Sequence, residues 1–147
     1  MVHPGRHDDA MNQIRRILKQ ARTVAVLGAT DKSFKAGFYV PDYLLGQGYR
    51  VLPVSPRLAG TELFGRTVVA SLAELDEPVD LVDVFRRPET LPGHLDELLA
   101  LAPKVVWMQQ GIRHEGVAAA LEEAGIEVVQ DACTLAEHRV LGLGPVG

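Results

Sequence analysis

The feature of this sequence that most constrains its fold is a regular alternation between short apolar segments and longer amphipathic ones. The apolar segments are rich in β-branched residues, which is typical of parallel strands buried on both faces. Five strands are predicted, at Thr23–Leu27, Arg50–Val54, Leu81–Phe85, Lys104–Met108 and Ile126–Val129. Helices are predicted at Asp8–Gln20, Tyr39–Gln47, Pro88–Ala102, His114–Ala124 and Thr134–His138.

This alternation predicts an α/β fold, a Rossmann-like, doubly wound parallel sheet of about five strands with helices on both faces. Right-handed crossovers leave few topologies, and we expect the strand order 3-2-1-4-5. The weakest part of the pattern is 60–77, with a possible short strand at 67–69 and a helical turn at 72–75. The 147 residues suit one domain, 1–147, in which 1–7 and 142–147 are expected to be loose tails.

The composition argues against several classes of function. A net charge of −4 gives no general attraction to nucleic acids, and no apolar stretch approaches the ~18 residues that a membrane span needs. The single cysteine, Cys133, rules out an intrachain disulfide, and the histidines show no spacing typical of metal ligands. We therefore expect a cytoplasmic protein with no metal and with neither nucleic acid nor membrane as partner. A homo-oligomer or a protein partner stays open.

The turn after the first predicted strand has the residues that a phosphate site needs. Gly28 and Ala29 are small enough to let a ligand approach the backbone, and free N–H groups at a loop or helix start attract anions. Hydroxyl groups and positive charges follow at Thr30, Lys32, Ser33 and Lys35. Ligands of open α/β sheets bind beyond the carboxyl ends of strands, so this turn is predicted to hold phosphate. The alternative is that the turn is only a tight exit from the strand.

The end of the second predicted strand narrows the class of nucleotide. Neither the G-x-G-x-x-G spacing nor a P-loop occurs after the first strand. An NAD site usually has a carboxylate at the end of the second strand to bind the ribose 2′-hydroxyl. This chain instead has Val54, Ser55, Pro56 and Arg57. A missing carboxylate and a nearby cation favour a ribose that carries a phosphate, as in NADP or coenzyme A.

Two more strand ends border the same predicted crevice. Phe85 could pack on an adenine or a pantetheine, and Arg86 could reach a pyrophosphate. Alternatively, the two are a core phenylalanine and a solvated arginine. Gln109 and Gln110 follow the fourth strand and either hydrogen-bond a pantetheine amide or cap the next helix.

Candidate catalytic groups are few. Cys133 and His138 could act as a nucleophile and its base, but a buried, unreactive cysteine beside a surface histidine is the favoured interpretation. His114 is interpreted as a helix-start residue rather than a general base. We therefore predict no catalytic residue and no metal ligand.

Several segments together resemble a known family. They are VAVLGAT at Val24–Thr30, GYRVLPVSP at Gly48–Pro56, PVDLVDVFRRPE at Pro78–Glu89, VVWMQQGI at Val105–Ile112 and VVQDAC at Val128–Cys133. Over nearly its whole length the chain is similar to the small stand-alone CoA-binding domain proteins. These are relatives of the CoA-binding domain in the α subunit of succinyl-CoA synthetase.

The resemblance implies a Rossmann-type domain that holds coenzyme A across its first two turns. It implies a pyrophosphate beside Gly28, Ala29, Thr30 and Ser33, an adenosine beside Val54, Ser55 and Pro56, a 3′-phosphate near Arg57, and Phe85 and Arg86 along the far side of the cofactor. Ser55 departs from the asparagine that the family often has, and it keeps a hydrogen-bonding group with a shorter reach.

The predicted function is therefore the binding of CoA or acyl-CoA, without catalysis by this chain alone, as a sensor, a carrier or an accessory subunit. An NADP-type oxidoreductase is the first alternative, although the sequence has no convincing hydride-transfer motif such as Tyr-x-x-x-Lys. An interaction protein without a ligand is the second.

Overall fold

The structure is a computed structural model that describes the backbone of residues 4–147 and the side chains of residues 9–147. The helices are α1 (Pro4–Gln20), α2 (Ala36–Gly46), α3 (Leu95–Leu101), α4 (Glu115–Glu123) and α5 (Thr134–Val140). The strands are β1 (Thr23–Leu27), β2 (Arg50–Val54), β3 (Glu62–Leu63), β4 (Arg66–Thr67), β5 (Leu81–Val84), β6 (Val105–Met108) and β7 (Glu127–Val129). Short 3₁₀ segments lie at Leu72–Glu74 and Pro88–His94.

The main sheet has five parallel strands in the order β2-β1-β5-β6-β7, and β3 and β4 form a separate antiparallel pair. The predicted α/β fold is confirmed, and each predicted strand forms with ends that differ by at most one residue. The predicted order 3-2-1-4-5 is wrong. Counted over the five predicted strands, the order is 2-1-3-4-5, because the third strand pairs with the first rather than with the second.

Pro53 explains why the second strand lies at the edge of the sheet. Its carbonyl accepts a hydrogen bond from the N–H of Val69, on the side of β2 away from β1. Proline has no N–H to donate, so it suits a strand edge and would leave a gap between two long strands. The connection over 55–80 is long enough to carry the chain across to the other side of β1.

Apolar side chains cover both faces of the sheet. On one face, strand residues pack with α1, α2 and α5, around Leu18, Val26, Leu44 and Trp107. On the other face, they pack with the 3₁₀ segments, α3 and α4, around Leu91, Leu98 and Leu121. Because helices lie on both faces, the carboxyl ends of the strands form one exposed rim of the molecule.

The helix predicted over Pro88–Ala102 forms in two parts, a 3₁₀ segment followed by α3. Pro92 lies inside the first part and cannot donate the backbone hydrogen bond that a continuous α-helix requires. The short strand predicted at 67–69 is reduced to β4 and a single bridge between Val54 and Val69.

The two predicted tails differ from the structure. Residues 1–3 of the first tail lie outside the described residues, and α1 already begins at Pro4. The segment 142–147 is not loose, because the Val146 N–H donates to the carbonyl of Gln47 over 2.7 Å and Leu143 and Val146 pack on the core. Within the described residues, no helix has the length and apolar character needed to cross a membrane.

Candidate functional site

A cleft of about 750 Å³ opens at the carboxyl ends of β1, β2, β5 and β6. Ten of the predicted site residues line it: Gly28, Ala29, Thr30, Lys32, Lys35, Ser55, Pro56, Arg57, Phe85 and Arg86. Ala36, Gly37, Gln109, Gln110 and Ile112 also line it. Thr30 and Arg57, which come from different strand ends, thus border one shared space. The structure brings most of the predicted set together, and the roles of these residues stay predictions.

Val54 and Ser33 do not line the cleft. The Val54 side chain is buried in the core, and its carbonyl accepts hydrogen bonds from the N–H groups of Gly28 and Ala29, at 3.0 and 3.2 Å. The amides expected to be free for an anion are therefore occupied by the neighbouring strand. Ser33 is exposed in the loop before α2 and is not among the residues that line the cleft.

Unpaired backbone donors occur a few residues later, at the start of α2. The N–H groups of Ala36 and Gly37 have no hydrogen-bond partner among residues 4–147, as expected for the first turn of a helix. Lys35, at the N-cap, provides no side-chain cap. The positive end of the α2 dipole therefore faces the cleft and favours an anion there.

Two glycines let the β1–α2 loop and the β5 end pack closely. Gly28 has φ +95°, and a Cβ at that position would lie 3.0 Å from Cδ of Arg86. A Cβ at Gly37 would lie 2.9 Å from the carbonyl oxygen of Gly28. Side chains at either position would push the start of α2 or the stem of Arg86 away from the strand end.

Four cationic side chains, Lys32, Lys35, Arg57 and Arg86, surround the cleft. A terminal nitrogen of Arg57 lies 3.0 Å from the carboxylate of Asp31, and both side chains are largely exposed. The hydrogen bond from Arg57 lowers the pKa of Asp31, so this carboxylate is ionised at neutral pH. Arg57 is thereby held at the rim by a partner that water or a competing anion can displace.

Arg86 differs from the other three cations because part of its head group is enclosed. Its Nε atom is buried and has no hydrogen-bond partner within the described residues. A buried, unpaired donor on a charged group is costly. Because Nε itself is enclosed by the protein, an anion in the cleft would interact with the charge of the guanidinium group rather than with this atom. The alternative of an ordinary solvated arginine does not account for this enclosed nitrogen.

A buried polar network lies behind the inner wall of the cleft. Asp83 on β5 accepts hydrogen bonds from Gln109 and from Thr134, which begins α5. Burial raises the pKa of Asp83 to about 7, although both hydrogen bonds oppose that shift. Asp83 and Thr134 were not predicted as site residues. The signal for Asp83 was a carboxylate in the middle of an apolar strand, LVDV.

The structure shows the surroundings of each candidate catalytic group. His138 is buried, with Nδ1 2.8 Å from the hydroxyl of Tyr43, so the expectation of a surface histidine is wrong. Cys133 is half-buried at the start of α5. His114 caps α4 by accepting a hydrogen bond from the N–H of Val117, which agrees with its interpretation as a helix-start residue.

Several known proteins are similar to this chain over most of its length. An uncharacterized Bacillus subtilis protein, YneT, is 37% identical over 128 residues, which cover 87% of this chain and 93% of that protein. A solved structure from Thermus thermophilus is 55% identical, has a TM-score of 0.87, and matches 89% of this chain and 98% of its own. A hypothetical protein from Pyrococcus horikoshii is 30% identical, with a TM-score of 0.85 and coverage of 91% and 92%.

The match to a protein family covers the sheet and its helices except α1. Residues 22–139, which include β1 to β7 and most of α5, match the CoA binding domain family. Together with relatives that align over nearly their full lengths, this match shows that the chain belongs to the CoA binding domain family.

Proposed function

We propose that the cleft binds coenzyme A or an acyl-CoA, with the phosphates at the start of α2 and the 3′-phosphate beside Arg57. The observation that carries the proposal is that one cleft is lined by four cationic side chains, those of Lys32, Lys35, Arg57 and Arg86, and by the unpaired N–H groups at the start of α2. An anion with several phosphates would neutralise these charges and accept hydrogen bonds from these N–H groups. The family to which the chain belongs supports the choice of CoA among such anions.

The residues after β2 argue for a phosphorylated ribose. Ser55 is nearly buried, and its N–H is already donated to Val69. The end of β2 has no carboxylate that could bind a free ribose hydroxyl, and Arg57 follows two residues after Ser55. A 3′-phosphate would replace the Asp31 carboxylate as the partner of Arg57, since a dianion attracts a guanidinium more strongly than a monoanion does.

Calorimetric titration tests the proposal. We expect CoA to bind more tightly than dephospho-CoA, and Arg57→Gln to remove most of that difference by weakening CoA about tenfold. Arg87→Gln is the matched control, because Arg87 is 84% exposed and does not line the cleft. The absence of any heat with CoA at millimolar concentration would contradict the proposal.

An NADP-type cofactor is the second candidate, because the same cations and the missing carboxylate suit a 2′-phosphate. Mixing the protein with NADPH would then enhance the nicotinamide fluorescence. We expect no enhancement at concentrations at which CoA saturates the site.

The proposed role is that of a sensor, carrier or accessory subunit rather than of an enzyme acting alone. The lone cysteine supports a reducing, cytoplasmic location. Native mass spectrometry of the protein purified from cells would identify a retained acyl-CoA and any second copy or partner subunit, and a bound acyl chain would favour a carrier.

A further inference from the structure

Three side chains from separate elements form a closed hydrogen-bonded ring behind the cleft. Asp83 and Thr134 are fully buried, and Gln109 is 4% exposed. The amide nitrogen of Gln109 donates to Asp83 and, over 2.9 Å, to the hydroxyl of Thr134. That hydroxyl in turn donates to the other carboxylate oxygen of Asp83 over 3.0 Å.

This ring determines which end of the Gln109 amide is available to a ligand. An amide nitrogen has two protons, and both are used inside the ring. The amide oxygen makes no hydrogen bond within the described residues, and it is not among the fully enclosed atoms that lack a partner. Gln109 lines the cleft, so the oxygen is the atom that it presents there.

The reversed amide orientation is disfavoured by the same contacts. Turning the amide over would place its oxygen against the Asp83 carboxylate and remove two hydrogen bonds from a site without water access. Asp83 and Thr134 therefore act as positioning residues, because they hold Gln109 in the orientation in which its amide oxygen is the acceptor on the cleft wall.

The cleft thus has two chemically different ends. The outer end has the cations and the α2 N-terminus, which suit phosphate. The inner end has a fixed acceptor backed by a carboxylate, which repels anions and suits a neutral donor such as an amide N–H. A ligand that fits both ends carries phosphates at one end and N–H or O–H groups at the other.

We propose that Gln109 is a specificity-determining residue that accepts a hydrogen bond from an amide N–H of the pantetheine arm, with Asp83 and Thr134 fixing its orientation. This inference rests on the proposed CoA function. It assigns the inner wall of the cleft to the pantetheine arm, which a simple nucleotide lacks.

The experiment compares CoA with adenosine 3′,5′-bisphosphate, which keeps the nucleotide end and lacks the arm. Titrations are run at pH 8, where Asp83 is ionised. For Thr134→Val we expect CoA to bind about fivefold to tenfold more weakly, because the ring opens and the amide is free to turn. Binding of the bisphosphate should not change, and Thr134→Ser should restore CoA binding because it keeps the hydroxyl.

A ligand-side measurement on the unaltered protein keeps the test decisive if Thr134→Val does not fold. A CoA analogue in which an ester oxygen replaces each pantetheine amide N–H in turn should bind about fivefold more weakly for one of the two positions. Equal binding of CoA and both analogues, or an equal loss of CoA and bisphosphate affinity in Thr134→Val, would overturn the inference. If the protein bound neither CoA nor the bisphosphate, the proposed function itself would fail.

Discussion

At the scale of single residues, the site depends on which polar groups are already satisfied inside the protein. Gly28 and Ala29 have the small side chains that the sequence suggested, but their N–H groups bind the carbonyl of Val54. The N–H groups of Ala36 and Gly37, by contrast, have no partner among residues 4–147 and border the cleft. The sequence indicates which groups are polar and near a strand end, while only the packing decides which of them remain available to a ligand.

Asp83 should make the folded protein less stable as the pH rises from about 4 to 7. Its pKa is raised to about 7 by burial, whereas an aspartate in an unfolded chain has a pKa of about 3.9. Between these values the folded state binds a proton that the unfolded state has lost, so the free energy of unfolding falls with rising pH. Asp83→Asn should remove this loss of stability, which is at most about 1.4 kcal/mol per pH unit.

Urea unfolding of both proteins at pH 4.5 and pH 7.5 measures this difference. Asp80→Asn is the control, because the pKa of Asp80 is shifted in the opposite direction to that of Asp83. Burial raises the pKa of Asp80, but the N–H groups of Thr23 and Arg22 lower it further, and the net direction is down. The stability that Asp80 contributes is lost only below the usual aspartate pKa, so its variant should show no pH-dependent difference in this window. Parallel pH curves for Asp83→Asn and the unaltered protein would contradict the assignment.

At the scale of elements, the five strands of the main sheet could be identified from the sequence, and the order in which they pair could not. Apolar runs with β-branched residues identify β1, β2, β5, β6 and β7, because burial on both faces determines their composition. The order depends instead on single features such as Pro53, which marks β2 as an edge strand. Most of the predicted site residues still line one cleft, because strand carboxyl ends share one rim in either order, and their role in binding stays a prediction.

The close contact between α2 and the β1 exit gives an element-scale prediction. A methyl group at Gly37 would lie 2.9 Å from the carbonyl oxygen of Gly28, so Gly37→Ala must shift the start of α2. We expect a loss of about 1–3 kcal/mol in the free energy of unfolding and weaker CoA binding. Gly46→Ala, in the same helix with no atom within 4 Å, is the matched control.

Thermal unfolding and calorimetry distinguish the two variants. Gly46→Ala should stabilise the protein by at most about 0.5–1 kcal/mol, because alanine is favoured over glycine in a helix and Gly46 is the last residue of α2. It should leave CoA affinity unchanged. Equal stability of the two variants would show that the start of α2 can move at little cost, and the cleft would then be less preorganised than the structure indicates.

At the scale of the whole molecule, the C-terminal segment 142–147 packs against the core on the face of the sheet that α1, α2 and α5 cover. The carbonyl of Val146 lies close to Gly48, where a Cβ would be 2.4 Å from its oxygen, and the Val146 N–H binds Gln47. Composition and periodicity indicated a loose tail, since a short, glycine-rich end has no pattern that predicts docking. The contact depends on tertiary structure, which brings the end of the chain to the α2–β2 turn.

Gly48→Ala tests whether this docking stabilises the domain. Gly48 has φ +95°, so alanine there adds backbone strain as well as a clash with Val146. Gly60 has a similar φ of +89° and open space around it, so Gly60→Ala adds the backbone strain without a clash. We expect Gly48→Ala to lower the free energy of unfolding by at least about 1 kcal/mol more than Gly60→Ala does. Equal losses for the two variants would contradict this prediction. They would show that the segment 142–147 can be displaced without cost and adds nothing to the stability of the domain.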